Sequence, residues 1–394
     1  MQRIRQIPRR GWPARLESIG FHFHSLDEHD VPQAVDDHTF VYWREDHAYR
    51  FSSEEVERIY AAALELNQRC LDAVEHVITK RDFARLGIAA PMGDWITQSW
   101  ERDDPTLYGR FDFTLDALGT PKMFEYNADT PTSIIEASLA QWFWKQDVRP
   151  EADQFNSLHE ALIERWRALR AHYRDIDLLH FACMFDSQED VCNVEYLMDT
   201  AVQAGWSVKL IAMQDIGNDG CGQFIDLEGR VIRLMFKLYP WEWLAGSDYG
   251  GELLKDRCAW VEPPWKMILA NKGILPILWE LFPHHPNLLE ASFDAARFAG
   301  RPHAKKPLLS REGANVTLMT PDGVIERGGD YGAEGFVYQD YMPCPRIGTA
   351  EGERFVTLGA WIVDDTPVGL CVREQASLIA SNTSWFVPHY FVAE

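Results

Sequence analysis

Four residues in two short runs have the types and spacing to do chemistry: Arg110, Asp112, Glu125 and Asn127. In Tyr108–Phe113, Arg110 and Asp112 alternate with Phe111 and Phe113. In Lys122–Asn127, Met123, Glu125 and Asn127 alternate with Phe124 and Tyr126. Side chains two apart on a strand share a face, so each run predicts one aromatic face and one mostly polar face. Leu118-Gly119-Thr120-Pro121 reads as a turn, because Gly and Pro punctuate local structure. A turn centred on Leu118-Gly119 sets Asp112 opposite Glu125 and Arg110 opposite Asn127. Two opposed carboxylates repel unless a cation lies between them. Asp, Glu and an amide oxygen are hard donors of the kind that hold Mg²⁺ beside the phosphates of a nucleotide.

A nucleotide also needs cations for its phosphates and an apolar slot for its base. Lys272 lies in Leu269-Ala270-Asn271-Lys272-Gly273, just before an apolar helical run, and Lys306 precedes Pro307-Leu308-Leu309 at the start of a strand-like run. Taken singly, each is more simply a solvated lysine. Ser310-Arg311-Glu312-Gly313 has the make-up of a small charged loop that could cover a phosphate. The chain has neither a GxxxxGK[ST] loop nor a GxGxxG fingerprint, so a nucleotide site here must use another architecture.

Other chemistries are weaker. His22 and His24 stand two apart with His29 nearby, but without a partner pattern for a metal they read as ordinary polar residues. There is no GxSxG elbow. Cys70, Cys183, Cys192, Cys221, Cys258, Cys344 and Cys371 are odd in number and scattered, with no CxxC pair, which fits reduced, mostly buried thiols. Trp142, Trp144, Trp241 and Trp243 read as core residues.

The elements that must position these groups follow from periodicity and caps. Ser52 or Ser53 caps a helix running towards Val77, with acids in its first turn. The two strand-like runs follow, then the Ala128–Thr132 loop, a helix from near Ser133 and a second over about 152–172. A buried strand at Leu178–Phe185, a helix to Ala204 and a strand at Val208–Met213 predict an α/β unit with parallel pairing. Cys221–Leu238 reads as a hairpin around Glu228-Gly229, and 267–281 as helix. Lys305–Leu309, Gly335–Tyr341, Phe355–Val363 and Gly369–Arg373 read as strands. Residues 1–50 show no clean period.

A chain of 394 residues with 12% aromatic content, including 15 Trp, has ample material for more than one core. Its 38 basic and 60 acidic residues leave a net charge of −22, which argues against nucleic acid or an anionic membrane as partner. An acidic surface could attract a cationic substrate such as a polyamine, although many proteins are acidic without one. No run approaches the ~18 apolar residues of a membrane span. The first residues lack the apolar stretch of an export signal, so the expected location is the cytoplasm.

Four segments together resemble the synthetase region of the glutathionylspermidine synthase family. They are Phe124-Glu125-Tyr126-Asn127-Ala128-Asp129-Thr130-Pro131-Thr132-Ser133, Asn271-Lys272-Gly273-Ile274-Leu275-Pro276-Ile277-Leu278-Trp279, Phe282-Pro283-His284-His285 and Lys306-Pro307-Leu308. The resemblance runs from about residue 10 to the C-terminus. It implies an ATP-grasp fold of α/β class in permuted order, with metal ligands early in the chain and nucleotide lysines late. A part over 1–150 would carry the metal-ligand hairpin, 175–260 a preATP-grasp-like α/β subdomain, and 261–394 the nucleotide-binding part with a lid.

The family joins a carboxylate to an amine with ATP and Mg²⁺ through an acyl phosphate. By motif, the resemblance implies that Asp112, Glu125 and Asn127 hold Mg²⁺ and that Arg110 stabilises the acyl phosphate and tetrahedral intermediate. It implies that Lys272 and Lys306 contact ATP, that Arg311 sits on the lid, and that Arg373 lies near the transferred phosphate. Gln339 would lie in the linker along the adenine slot, and Thr130 and Thr132 at the peptide substrate. The implied partners are small molecules: ATP, a peptide carboxylate and an amine or polyamine.

Two departures stand out. The amidase domain of the bifunctional members has no counterpart in this sequence, so hydrolysis of the product is not expected. Leu238 stands where a polar substrate contact is expected. A ligase with a different peptide and amine, and a nucleotide-binding protein without turnover, are the alternatives.

Overall fold

The computed structural model describes residues 1–26, 40–379 and 384–392, so His29 lies outside the described residues. The paired runs form strands Tyr108–Leu115 and Pro121–Asn127 in the anticipated register, Arg110 opposite Asn127 and Asp112 opposite Glu125. The turn is closed by Gly119 N–H donating to the Asp116 carbonyl, 2.9 Å, while Asp116 Oδ1 accepts from the N–H groups of Leu118 and Thr120, 2.9 Å each. Gly119 takes φ 75°, a conformation costly for residues with a Cβ.

The simple alternation of the second strand is corrected by a bulge. Asp112 pairs with Glu125, but the next residue, Phe113, pairs with Met123, so Phe124 is an extra residue. Met123 thereby turns into the core with Phe111 and Phe113. Phe124 instead faces the same cavity as Glu125. The bulge therefore converts a one-residue slip into two adjacent side chains aimed at the site.

These strands belong to a six-stranded antiparallel sheet with Gly352–Val363, Thr366–Gln375, Trp385–Val387 and Arg346–Thr349. One face packs on helix Ser53–Lys80, whose Ile59, Ala63, Leu66, Cys70, Ala73 and Val77 recur at helical spacing and are buried. Its start is a capping box between Ser52 and Glu55. The other face buries Tyr108, Trp361 and Cys371 against helix Leu158–His172 and the helical turns after Ile134. The second helix begins at Leu158 rather than near 152, because 153–156 run as extended chain bridging Phe391 and Gly369.

A second, five-stranded antiparallel sheet runs in the order Ala291–Ser292, Phe336–Asp340, His303–Pro307, Thr317–Thr320, Gly323–Glu326. It carries Lys306 and Gln339. The helical stretch at 267–281 is broken into Lys266–Ala270 and Ile274–Leu281. Between them Asn271 Oδ1 accepts from Gly273 N–H, 2.8 Å, and Lys272 N–H turns out to the Leu308 carbonyl, 2.8 Å. That break projects Lys272 towards the hairpin.

The third layer is the anticipated parallel α/β unit. Leu178–Cys183 and Ser207–Ala212 pair in parallel, joined through helix Gln188–Gln203. Its sheet also takes in Leu234–Leu238, parallel to Leu178–Cys183, with Ala259–Val261 beyond it. The anticipated hairpin over Cys221–Leu238 is thus a correction. The turn at Glu228-Gly229 forms, with Gly229 N–H on the Asp226 carbonyl at 2.9 Å. The apolar run after it is claimed by the buried parallel sheet, where both faces of the strand are covered.

Candidate active site

The three layers meet around the polar side of the hairpin. Asp112 is the centre. Its Oδ1 accepts from Arg110 Nε at 2.7 Å, and its Oδ2 from Arg373 Nη2 at 2.7 Å, Arg110 Nη2 at 3.2 Å and Asn127 Nδ2 at 3.2 Å. Burial alone would raise its pKa, but Arg110 and Arg373 hold it down at about 2. Arg110 reaches further, donating from Nη1 to the Thr132 carbonyl at 2.6 Å. Arg373 Nε is buried with no partner among the described residues.

Glycine at 359 permits this arrangement. Gly359 pairs with Asp112 on one side and Cys371 on the other. A Cβ there would stand 2.5 Å from Cys371 Sγ and 2.8 Å from Arg110 Cδ. Glycine inside a strand marks such a close approach.

Glu125 is held by a different pair of cations. Lys272 Nζ lies 3.0 Å from Glu125 Oε2 and also donates to the Ser310 carbonyl at 2.6 Å. Burial pushes the Glu125 carboxyl up, but Lys272 and Lys306 outweigh it and its pKa is lowered. The opposed carboxylates are therefore both ionised, separately compensated by arginines and lysines. Two ionised carboxylates and the Asn127 amide oxygen fit Mg²⁺ in donor chemistry. Among the described residues no set of three or more His, Cys, Asp or Glu side chains converges to hold a metal. A cation here would need ligands from the substrate as well.

Lys306 is buried beneath Phe124. Its Nζ donates to Gln339 Oε1 at 2.7 Å and to the Phe124 carbonyl at 3.0 Å. Burial lowers its pKa to about 8, against the pull of Glu125. Gln339 lies within the strand Phe336–Asp340, and the segment linking the sheets begins at Tyr341. Its Nε2 donates to the Met123 carbonyl at 3.1 Å, so Gln339 and Lys306 each tie the two sheets together.

Two cavities open from this cluster. One is largely apolar, lined by Phe124, Val316, Leu318, Met342, Leu378 and Ile379, with Lys306 and Gln339 at its wall. The other is polar, with Arg110, Thr130, Thr132, Glu189, Asp190 and Arg311. Both share Asp112, Glu125, Glu312, Gly313 and Arg373. The polar cavity lies at the carboxyl ends of the parallel strands, where Leu238 ends one and Glu189-Asp190 follow another, the usual place for a ligand in such sheets.

Arg311 crosses from the 308–316 loop, donating to Thr130 Oγ1 at 2.6 Å and to Glu242 at 3.1 Å. The loop bearing Thr130 is pinned from behind by the fully buried Asp129–Lys237 pair at 2.7 Å. All the sequence-proposed site residues thus line these cavities or hold their walls.

Glu189, Asp190, Tyr42 and Trp243 also line the polar cavity and were not anticipated. Burial and the neighbouring Glu189 raise Asp190 to about 7, and burial raises Glu189 itself. Acids in the first turn of a helix look like ordinary dipole partners, so their sequence position concealed them. Trp243 is 45% exposed and Trp142 40%, correcting their reading as core, whereas Trp144 and Trp241 are buried. His24 is buried against Ser25 and Glu17 with no metal-like partners among the described residues.

The glutathionylspermidine synthase preATP-grasp family profile matches residues 3–392. This chain belongs to that family. The family comprises ATP-dependent acid–amine ligases, so ligase chemistry and ATP binding come with membership. A Haemophilus influenzae protein named provisionally as an acid–amine ligase is 37% identical over 406 residues, covering 100% of both chains. Trypanothione synthetase of Crithidia fasciculata and the bifunctional glutathionylspermidine synthetase/amidase of Escherichia coli are each 27% identical, over 89% and 87% of this chain. The chain spans 57% and 59% of their lengths. A glutathione synthetase-like effector of Globodera pallida shares the fold, with TM-score 0.56 at 11% identity, covering 98% of this chain and 100% of its own. No helix among the described residues is long and apolar enough to cross a membrane.

Proposed function

We propose that this glutathionylspermidine synthase family member is an ATP-dependent carbon–nitrogen ligase that activates a peptide carboxylate as an acyl phosphate and joins it to an amine. The observation that carries this is the meeting of an apolar and a polar cavity at Asp112, Glu125 and Arg373. A base in the apolar slot brings its phosphates past Lys306 and Lys272 towards that junction. A carboxylate in the polar cavity meets them there, beside Arg110. Phosphoryl transfer is chiefly positioning and charge neutralisation, and these cations supply both. Mg²⁺ held by Asp112, Glu125 and Asn127 would neutralise phosphate charge at the same point.

Each residue takes one role in this reading. Arg110 and Arg373 stabilise the acyl phosphate and the tetrahedral intermediate. Lys272, Lys306, Gln339 and Arg311 hold ATP, with Arg311 on the loop that closes the junction. Thr130 and Thr132 meet the peptide, and the acidic pair Glu189 and Asp190 suits a cationic amine. Glutathione and a polyamine such as spermidine, the substrates named in relatives, match a polar cavity of mixed charge. The arrangement is assigned to an ATP-grasp fold in permuted order, with 175–260 as the preATP-grasp-like unit, 1–150 as the hairpin part and 261–394 as the nucleotide part. The cytoplasm is its proposed location.

ADP release from ATP and Mg²⁺, measured with glutathione and a panel of di- and polyamines, tests this. Release that requires both acid and amine supports the ligase. Binding of ATP without any such release would favour a nucleotide-binding protein, and release only with another acid or amine would move the substrates but keep the reaction.

A further inference from the structure

One buried carboxyl group beside the polar cavity has no part in the roles above. Glu136 is 0% exposed, on the helical turn Glu136–Ala140. Its Oε1 accepts from the Tyr42 hydroxyl at 2.8 Å, and its Oε2 has no partner among the described residues. Tyr42 itself lines the polar cavity, and its hydroxyl lies 3.3 Å from Ser133 Oγ. The neighbouring loop residue Thr132 carries the carbonyl that Arg110 grips. A tyrosine that lines the cavity, with its hydroxyl backed by an otherwise unused carboxylate, offers a two-step proton path leading out of the site.

The ligase reading, on which this inference rests, creates a need for such a path. A polyamine arrives as an ammonium, which cannot attack an acyl phosphate until it loses a proton. We propose that Tyr42, backed by Glu136, takes that proton. The ammonium N–H passes its proton to Tyr42 Oη as the Tyr42 proton passes to the Glu136 carboxylate. The neutral amine then forms the C–N bond, and the C–O bond to phosphate breaks with its electron pair on phosphate. The second nitrogen proton leaves with that phosphate, giving amide, hydrogen phosphate and protonated Glu136, so charge and atoms balance. Tyr42 touches the substrate and is the catalytic residue; Glu136 acts through it and is a positioning residue.

The surroundings of Glu136 suit the task. Tyr42 approaches from the segment after Phe40–Val41, Glu189 and Cys192 from helix Gln188–Gln203, and Arg110 from its strand. Burial first, and then Glu189, raise the Glu136 carboxyl to about 8, with Tyr42 and Arg110 pulling the other way. A base poised near the working pH is the efficient one.

The test compares two nucleophiles with glutathione, ATP and Mg²⁺: spermidine, which must lose a proton, and hydroxylamine, which is neutral at pH 7. In Tyr42→Phe and Glu136→Gln, ADP release with spermidine falls on the order of 10²-fold while that with hydroxylamine stays within about two-fold. The wild-type rate with spermidine rises as pH climbs through about 8, and Glu136→Gln loses that rise. Equal loss with both nucleophiles would make the pair structural, and no loss with spermidine would exclude the path; either overturns the proposal. Wild-type protein that releases no ADP with hydroxylamine and any of a panel of peptide carboxylates would instead refute the ligase reading. Melting curves confirm folding, and Tyr42→Phe keeps the ring and its packing.

Discussion

Asp112 and Glu125 face each other across an antiparallel strand pair, yet both are ionised, because each has its own pair of cations. Arg110 and Arg373 serve Asp112; Lys272 and Lys306 serve Glu125. The sheets are thereby joined through charge at the point where two cavities meet. An arrangement that spends four buried or half-buried cations on two carboxylates suits a site that must also receive polyphosphate.

Asp112→Asn should remove most of this organisation. The amide cannot accept from both guanidinium groups as an anion does, so Arg110 and Arg373 lose their fixed positions. Mg²⁺-dependent ADP release should fall on the order of 10²–10³-fold, with the far-ultraviolet circular dichroism spectrum unchanged. Near wild-type turnover would remove Asp112 from the site.

The same carboxylate predicts a pH effect on stability. Its pKa is lowered from 3.8 to about 2, so its contribution is fully present above the unfolded value and is lost as pH falls through about 2. The shift corresponds to roughly 2 kcal/mol at neutral pH. The stability gap between wild type and Asp112→Asn in urea titrations should therefore shrink between about pH 4 and 2.

Lys306 titrates near neutrality, with a pKa of about 8 in the free protein. ATP phosphates favour its charged form, so ATP affinity should weaken as pH rises above that value and binding near pH 8 should take up a proton. Calorimetry in buffers of different ionisation enthalpy reads this uptake. Lys306→Met should abolish it and lower affinity roughly 10–100-fold, as for losing a hydrogen bond to a charged group. Unchanged affinity would make the lysine purely a tie between the sheets.

Gly359→Ala probes the site without replacing any charged group. The new methyl group meets Cys371 and Arg110, so it should displace Arg110 and cost about 1–3 kcal/mol through overpacking. Activity should drop more than stability alone explains, measured as kcat at a temperature where the variant remains folded. A second change, Cys371→Ala, should restore part of both by making room.

Much of this was legible in the sequence because strand alternation and turn chemistry are local. The Asp112–Glu125 register followed from Gly119 and the spacing alone, and the parallel unit at 178–212 from strand and helix periods. What was not legible depends on contacts from distant chain. The Phe124 bulge is met by distant chain, where Met123 N–H donates to the Asn287 carbonyl and the Met123 carbonyl accepts from Gln339 Nε2. Leu234–Leu238 reads equally well as half of a hairpin until the parallel sheet claims it. Glu189, Asp190, Tyr42 and Glu136 come together from segments far apart, and each looks ordinary in its own.

The central claim is that a peptide carboxylate becomes an acyl phosphate at the junction beside Arg110 and Asp112. The most direct measurement uses glutathione labelled with ¹⁸O in its carboxylates, with ATP, Mg²⁺ and spermidine, and mass spectrometry of the inorganic phosphate formed. An acyl phosphate requires one labelled oxygen to move from carboxylate to phosphate for each amide made. Amide formation with unlabelled phosphate, or with the label in AMP, would contradict the account.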